Sequence, residues 1–77
     1  MKKSKTPRGF SIYKFNDRNN QECSLQKSSL ATEDAIWLGV DEDPNEDLSI
    51  FSRMHLTKGQ VKKLLPLLQN FVKTGEI

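Results

Sequence analysis

The segment Leu56-Thr57-Lys58-Gly59-Gln60-Val61 carries the signals that start a helix. Thr57 offers a hydroxyl to the free amides of the first turn, and Gln60, three residues on, reaches back to the Thr57 amide as a capping box. Leu56 and Val61 flank the cap as a hydrophobic staple. Val61, Leu64, Leu65, Leu68, Phe71 and Val72 then recur at helical spacing on one face. Gly75 supplies the left-handed stop. Pro66 lies inside the pattern, where it removes one backbone hydrogen bond and crowds the Lys62 carbonyl at a cost of about 3 kcal/mol in a straight helix. The apolar period continues across it, so a kink at Lys62–Pro66 is expected and not a break. A helix with such a stripe needs a surface to cover it, and the rest of the chain must provide that surface.

The remaining residues read as strands. Phe10-Ser11-Ile12-Tyr13-Lys14-Phe15 is rich in strand formers. Phe10 and Ile12 share one parity while Tyr13 and Phe15 share the other, which predicts either a strand covered on both faces or a bulge between Ile12 and Tyr13. Asn16-Asp17-Arg18-Asn19-Asn20 is a turn cluster. Glu22 to Lys27 alternates, with Cys23 and Leu25 inward and Ser24 and Gln26 outward, so the two segments form a hairpin. Ser28 to Asp34 is a loop or a single helical turn. Ala35-Ile36-Trp37-Leu38-Gly39-Val40 predicts a third strand, and Leu48 to Leu56 a fourth that leads into the helix. The expected fold class is α+β: a four-stranded antiparallel meander, β-β-β-β-α, with one C-terminal helix packed on one face. Residues 1–8 are polar, basic and contain Pro7, which predicts a disordered tail ahead of a single domain over 9–77.

A chain of 77 residues holds one domain. A domain of that size buries only about 60% of its unfolded surface. An unprotected sheet edge adds a second reason to associate, so a homo-oligomer is expected. No apolar run is long enough to span a membrane. The basic start has no apolar stretch behind it and does not read as a secretory signal. A lone cysteine, Cys23, provides no internal disulfide framework and fits a reducing cytoplasm. The formal net charge of +2 does not by itself demand nucleic acid. Lys2, Lys3, Lys5 and Arg8 nonetheless cluster at one end and, with Phe10 and Tyr13 beside them, form the basis of a nucleic-acid-binding alternative.

Catalytic and metal signatures fail on inspection. Asp41, Asp43, Asn45 and Asp47 alternate like the start of a calcium loop, but Glu46 stands where glycine must turn the chain and Ser52 where a bidentate glutamate is needed. Cys23 and His55 are the only thiol and imidazole. No third residue orients them, and Cys23 falls on the apolar side of its strand. No enzyme, cofactor or metal site is expected. A binding site is better supported. Gln26, Ser28 and Ser29 end the second predicted strand, Trp37 lies in the third, and Arg53 and His55 alternate on the fourth. Amide, hydroxyl, indole and guanidinium groups gathered in one place suit a small anionic ligand that carries a base. The opposing reading makes Trp37 core and the serines turn caps.

Three separated motifs in fixed order resemble a group of small uncharacterised proteins of tailed bacteriophages and prophages. They are Cys23-Ser24-Leu25-Gln26-Lys27-Ser28-Ser29 with Ala31, then Ile36-Trp37-Leu38-Gly39, then Met54-His55-Leu56 before a helix ending Thr74-Gly75. The resemblance covers nearly all of the chain after the tail and brings no activity or catalytic residues. The context it implies is an accessory factor in the cytoplasm of an infected or lysogenic bacterium. Such a factor would act in counter-defence, by sequestering a nucleotide signal or by blocking a host protein.

Overall fold

A computed structural model of the protein describes residues 1–41 and 53–77. The described chain is α+β, with elements in the order β1 (Lys3–Lys5), β2 (Ser11–Asn16), β3 (Glu22–Lys27), β4 (Ala35–Val40), β5 (Arg53–Thr57) and α1 (Lys58–Thr74). The five strands form one antiparallel sheet in sequence order, so the meander has one strand more than the sequence suggests. The acidic run beyond Asp41, and Leu48 to Ser52 of the expected fourth strand, lie outside the described residues.

The additional strand comes from the basic tail. Lys3, Ser4 and Lys5 pair with Tyr13, Ile12 and Ser11. The link is Thr6-Pro7-Arg8-Gly9, a turn with proline at its second position and glycine at its fourth. Gly9 donates to the Thr6 carbonyl at 2.8 Å and holds φ at 88°, a conformation that other residues adopt only with strain. The Thr6 hydroxyl accepts from the Phe10 amide at 3.0 Å. Polar composition pointed to disorder, but this turn gives the segment a register. At the next connection the Asp17 carboxylate accepts from the Asn19 and Gln21 amides at 2.8 and 2.9 Å, and Asn20 takes the left-handed position at φ 62°.

Pairing between β2 and β3 is continuous from Ile12 to Asn16, so the parity break at Ile12 and Tyr13 involves no bulge. The strand serves both faces instead. On one face, cross-strand pairs align Phe15 with Cys23 and Val40, Tyr13 with Leu25, Leu38 and Met54, and Lys27 with Ile36 and Leu56. The opposite face carries Ile12, Lys14, Ser24, Gln26, Trp37, Gly39, Arg53 and His55. Ser24, expected to point outward, is fully buried.

The helix begins and ends as its sequence specifies. The Gln60 amide donates to the Thr57 hydroxyl at 3.2 Å and the Thr57 amide donates to the Gln60 side chain at 3.0 Å. Gly75 closes the helix at φ 77°. The helix runs through Pro66 without interruption. Thr57→Ala is expected to lower stability by about 1 kcal/mol in a urea titration, while Thr57→Ser retains most of it.

The helix is not packed across the sheet face. Its main contact is with β5, and none of its residues is buried. Leu64, Leu68 and Phe71 remain 38%, 54% and 55% exposed. The cause lies at the junction. Thr57 is at once the last strand residue and the helix cap, so the chain has no connection in which to turn back over its own sheet. Among the described residues only Ile12, Cys23 and Ala35 are buried hydrophobics. Burying one large aliphatic side chain contributes about 1.5–3 kcal/mol. The half-exposed stripe therefore withholds about 5 kcal/mol from a single chain, comparable to the whole stability of a small domain.

Candidate functional site

The polar face of the sheet gathers most of the residues that the sequence singles out. Antiparallel pairing places Gln26 beside Trp37 and Trp37 beside His55, a row across three strands. The His55 imidazole stacks on the Trp37 indole with centroids 3.8 Å apart and planes within 6°. His55 Nε2 lies 2.9 Å from the Ser28 hydroxyl. Arg53, two residues before His55, holds its guanidinium carbon 5.6 Å from the centre of the Trp37 ring. Its Nη1 donates to Gln26 Oε1 at 2.8 Å and to the Ser24 hydroxyl at 3.5 Å. Gln26, Arg53, Trp37, His55 and Ser28 thus form one connected cluster. Ser29 stands apart, exposed in the loop after β3.

Trp37 is half-buried and belongs to this face, not to the surface beneath the helix. One part of the pocket expectation changes. The indole face that was to receive a base is taken by the His55 imidazole. Because His55 itself is exposed, the stack can be extended outward from the imidazole.

Gly39 lies between Ser24 and Arg53 in the cross-strand row. A side chain there would stand between them, and the residue's φ of 148° also favours glycine. The missing side chain leaves the path along which Arg53 crosses β4 to reach β3.

Sequence reasoning missed the lower half of the cluster. The Ser24 hydroxyl donates to Asp41 Oδ1 at 2.5 Å, and Lys14 Nζ lies 2.9 Å from Asp41 Oδ2. In the sequence Asp41 stands at the head of an acidic alternation that resembles a calcium loop, which does not point to this cluster. Its place one residue beyond β4, on the parity of Gly39, was the available signal. Burial pushes the Asp41 carboxyl up, but the Ser24 hydrogen bond, the Lys14 ammonium and the Arg53 charge outweigh it and hold the group below its usual value of 3.8. A depressed carboxyl stabilises the fold above its unfolded pKa and loses that contribution as pH falls through the folded one. Unfolding free energy should therefore drop as pH falls below about 4. Asp41→Asn should flatten that acid limb in urea titrations run at successive pH values. Asp34, held low by Lys27 first and Lys58 second, adds a contribution of the same sign.

Cys23 and His55 do not meet. The register puts them on opposite faces of the sheet, and burial pushes the Cys23 thiol up, away from the reactive thiolate. Among the described residues no group of acidic, histidine or cysteine side chains is arranged to hold a metal ion, and no helix is long and apolar enough to cross a membrane. Comparison with protein-family models, with curated proteins and with solved structures finds no match to this chain, so its function must be argued from this face.

Proposed function

We propose that this chain is a small non-enzymatic binding protein of phage or prophage type, which captures an anionic, nucleotide-like ligand on the polar face of its sheet. In this reading it acts in the host cytoplasm as a counter-defence factor. The observation that supports the reading is the connected row Gln26–Arg53–Trp37–His55–Ser28. Arg53 supplies a planar cation for a phosphate. The Trp37–His55 stack offers an exposed aromatic surface for a base. Gln26 and Ser28 supply neutral hydrogen bonds that set orientation, and Ser29 borders them from the loop. In this reading the Ser28 hydroxyl, buried and 2.9 Å from His55 Nε2, orients the imidazole, and the face captures its ligand without turning it over.

Blocking a host protein is the other form of the same counter-defence role. A nucleic-acid-binding accessory protein is the alternative, supported by Lys3 and Lys5 on the exposed edge strand. The experiment that separates them incubates the protein with extract from cells carrying an active defence system, then heat-denatures it and identifies released small molecules by mass spectrometry. Recovery of an intact nucleotide supports capture. An empty protein that instead binds duplex DNA, with affinity falling steeply in salt, supports the alternative.

A further inference from the structure

Among the described residues, the apolar half of the molecule is left open within one chain. An apolar groove of about 740 Å³ separates α1 from the end of the sheet, with Ile36 and Leu56 on one wall and Val61 and Leu65 on the other. Beyond it the sheet presents Leu25, Leu38 and Met54 in one cross-strand row, none of them buried. The helix stripe, continuing through Leu68 and Phe71, is equally uncovered. Each surface is the kind that the other requires.

We propose that α1 of one chain lies across the apolar sheet face of a second copy, whose own α1 lies reciprocally on the first. Three observations commit the groove to a second copy. Thr57 joins strand to helix directly through a closed capping box, and α1 leaves β5 with the groove open between it and its own sheet. The helix has 17 residues, about 25 Å at 1.5 Å per residue. Five strands at about 4.8 Å spacing need about 19 Å, so one helix crosses the whole sheet. The chain exposes 6541 Å², whereas a compact protein of 8.8 kDa exposes about 4,800 Å². A standard interface takes about 800 Å² from each partner. The excess of about 1,700 Å² over the whole chain is about twice that. A two-fold exchange satisfies both surfaces with a single contact used twice.

The proposal does not rest on the ligand reading, because it uses the opposite face of the sheet. It leaves the Arg53–Trp37–His55 cluster of each chain facing outward, so the dimer carries two independent ligand faces.

Sedimentation equilibrium should give a species of twice 8.8 kDa at micromolar concentration. Leu68→Asp should return the protein to the single-chain mass. Because that variant can also unfold, a cross-link decides the geometry. Cys23→Ser chains carrying Phe71→Cys and labelled with heavy nitrogen are mixed with unlabelled Cys23→Ser chains carrying Leu38→Cys, refolded together and oxidised. Heavy–light disulfides as the main product support the exchange. Heavy–heavy or light–light products in their place indicate a different interface and overturn it. A single-chain mass for the unsubstituted protein overturns it as well, as does efficient disulfide formation within one chain carrying both substitutions.

Discussion

Trp37→Ala should lower stability by about 2–4 kcal/mol and abolish ligand binding together with it. Replacing a buried tryptophan by alanine costs about 3–5 kcal/mol, and half-burial reduces that figure. Added to the lost packing is the stack on His55, an aromatic pair of a type that contributes about 0.5–1.5 kcal/mol beyond its buried area. Three neighbours lose their support at once. His55 loses the ring that holds its imidazole parallel, Arg53 loses the surface above which its guanidinium lies, and the Gln26 row loses its central member. Trp37→Phe should recover most of the stability but only part of the binding, since a smaller ring holds His55 less well. Urea unfolding and calorimetric titration on the same preparations check both limbs. Full binding by a Trp37→Ala protein that is still folded would remove the stack from the site.

How much of this was legible in the chain depended on whether the signal was local. The capping box and glycine stop of α1 act within a few residues, and the structure reproduces both. The alternation of β3 and the apolar run of β4 are equally local, and once paired they bring Gln26 beside Trp37. With the β4–β5 pairing added, five of the six candidate side chains meet in one cluster. What failed was what depends on partners distant in sequence. Residues 1–8 have the composition of a disordered tail, but the Thr6–Gly9 turn and the ladder to β2 fix Lys3–Lys5 as a strand. The alternation of β3 points Ser24 outward, opposite Cys23 and Leu25, yet Asp41 and Arg53 close over it. The stripe on α1 implied cover by the rest of the chain, yet Leu64, Leu68 and Phe71 stay 38%, 54% and 55% exposed. Its spacing says nothing of where the helix lies relative to the sheet, which depends on the direct passage from β5 to α1 at Thr57.

Arg53→Ala should reduce affinity for a phosphate-bearing ligand by about 100-fold while lowering stability by only about 1 kcal/mol. The two figures differ because the guanidinium has different partners in the two states. In the free protein it donates to the neutral Gln26 and Ser24 groups, bonds of a kind with a net worth of about 1 kcal/mol. Against a phosphate the same planar group makes a bidentate, charge-assisted contact worth about 3 kcal/mol, which is a factor of about 100 in affinity. Arg53→Lys keeps the charge but loses the fork, so its affinity should fall between the two. The opposite outcome is equally definite. If Arg53→Ala binds a nucleotide as tightly as the unsubstituted protein and loses as much stability as Trp37→Ala, then Arg53 holds strands together and touches no ligand. The polar face would then be a structural network, and the search for function would pass to the protein-blocking role. Titration calorimetry with mononucleotides and cyclic dinucleotides, run beside urea unfolding of the same three proteins, distinguishes the two results.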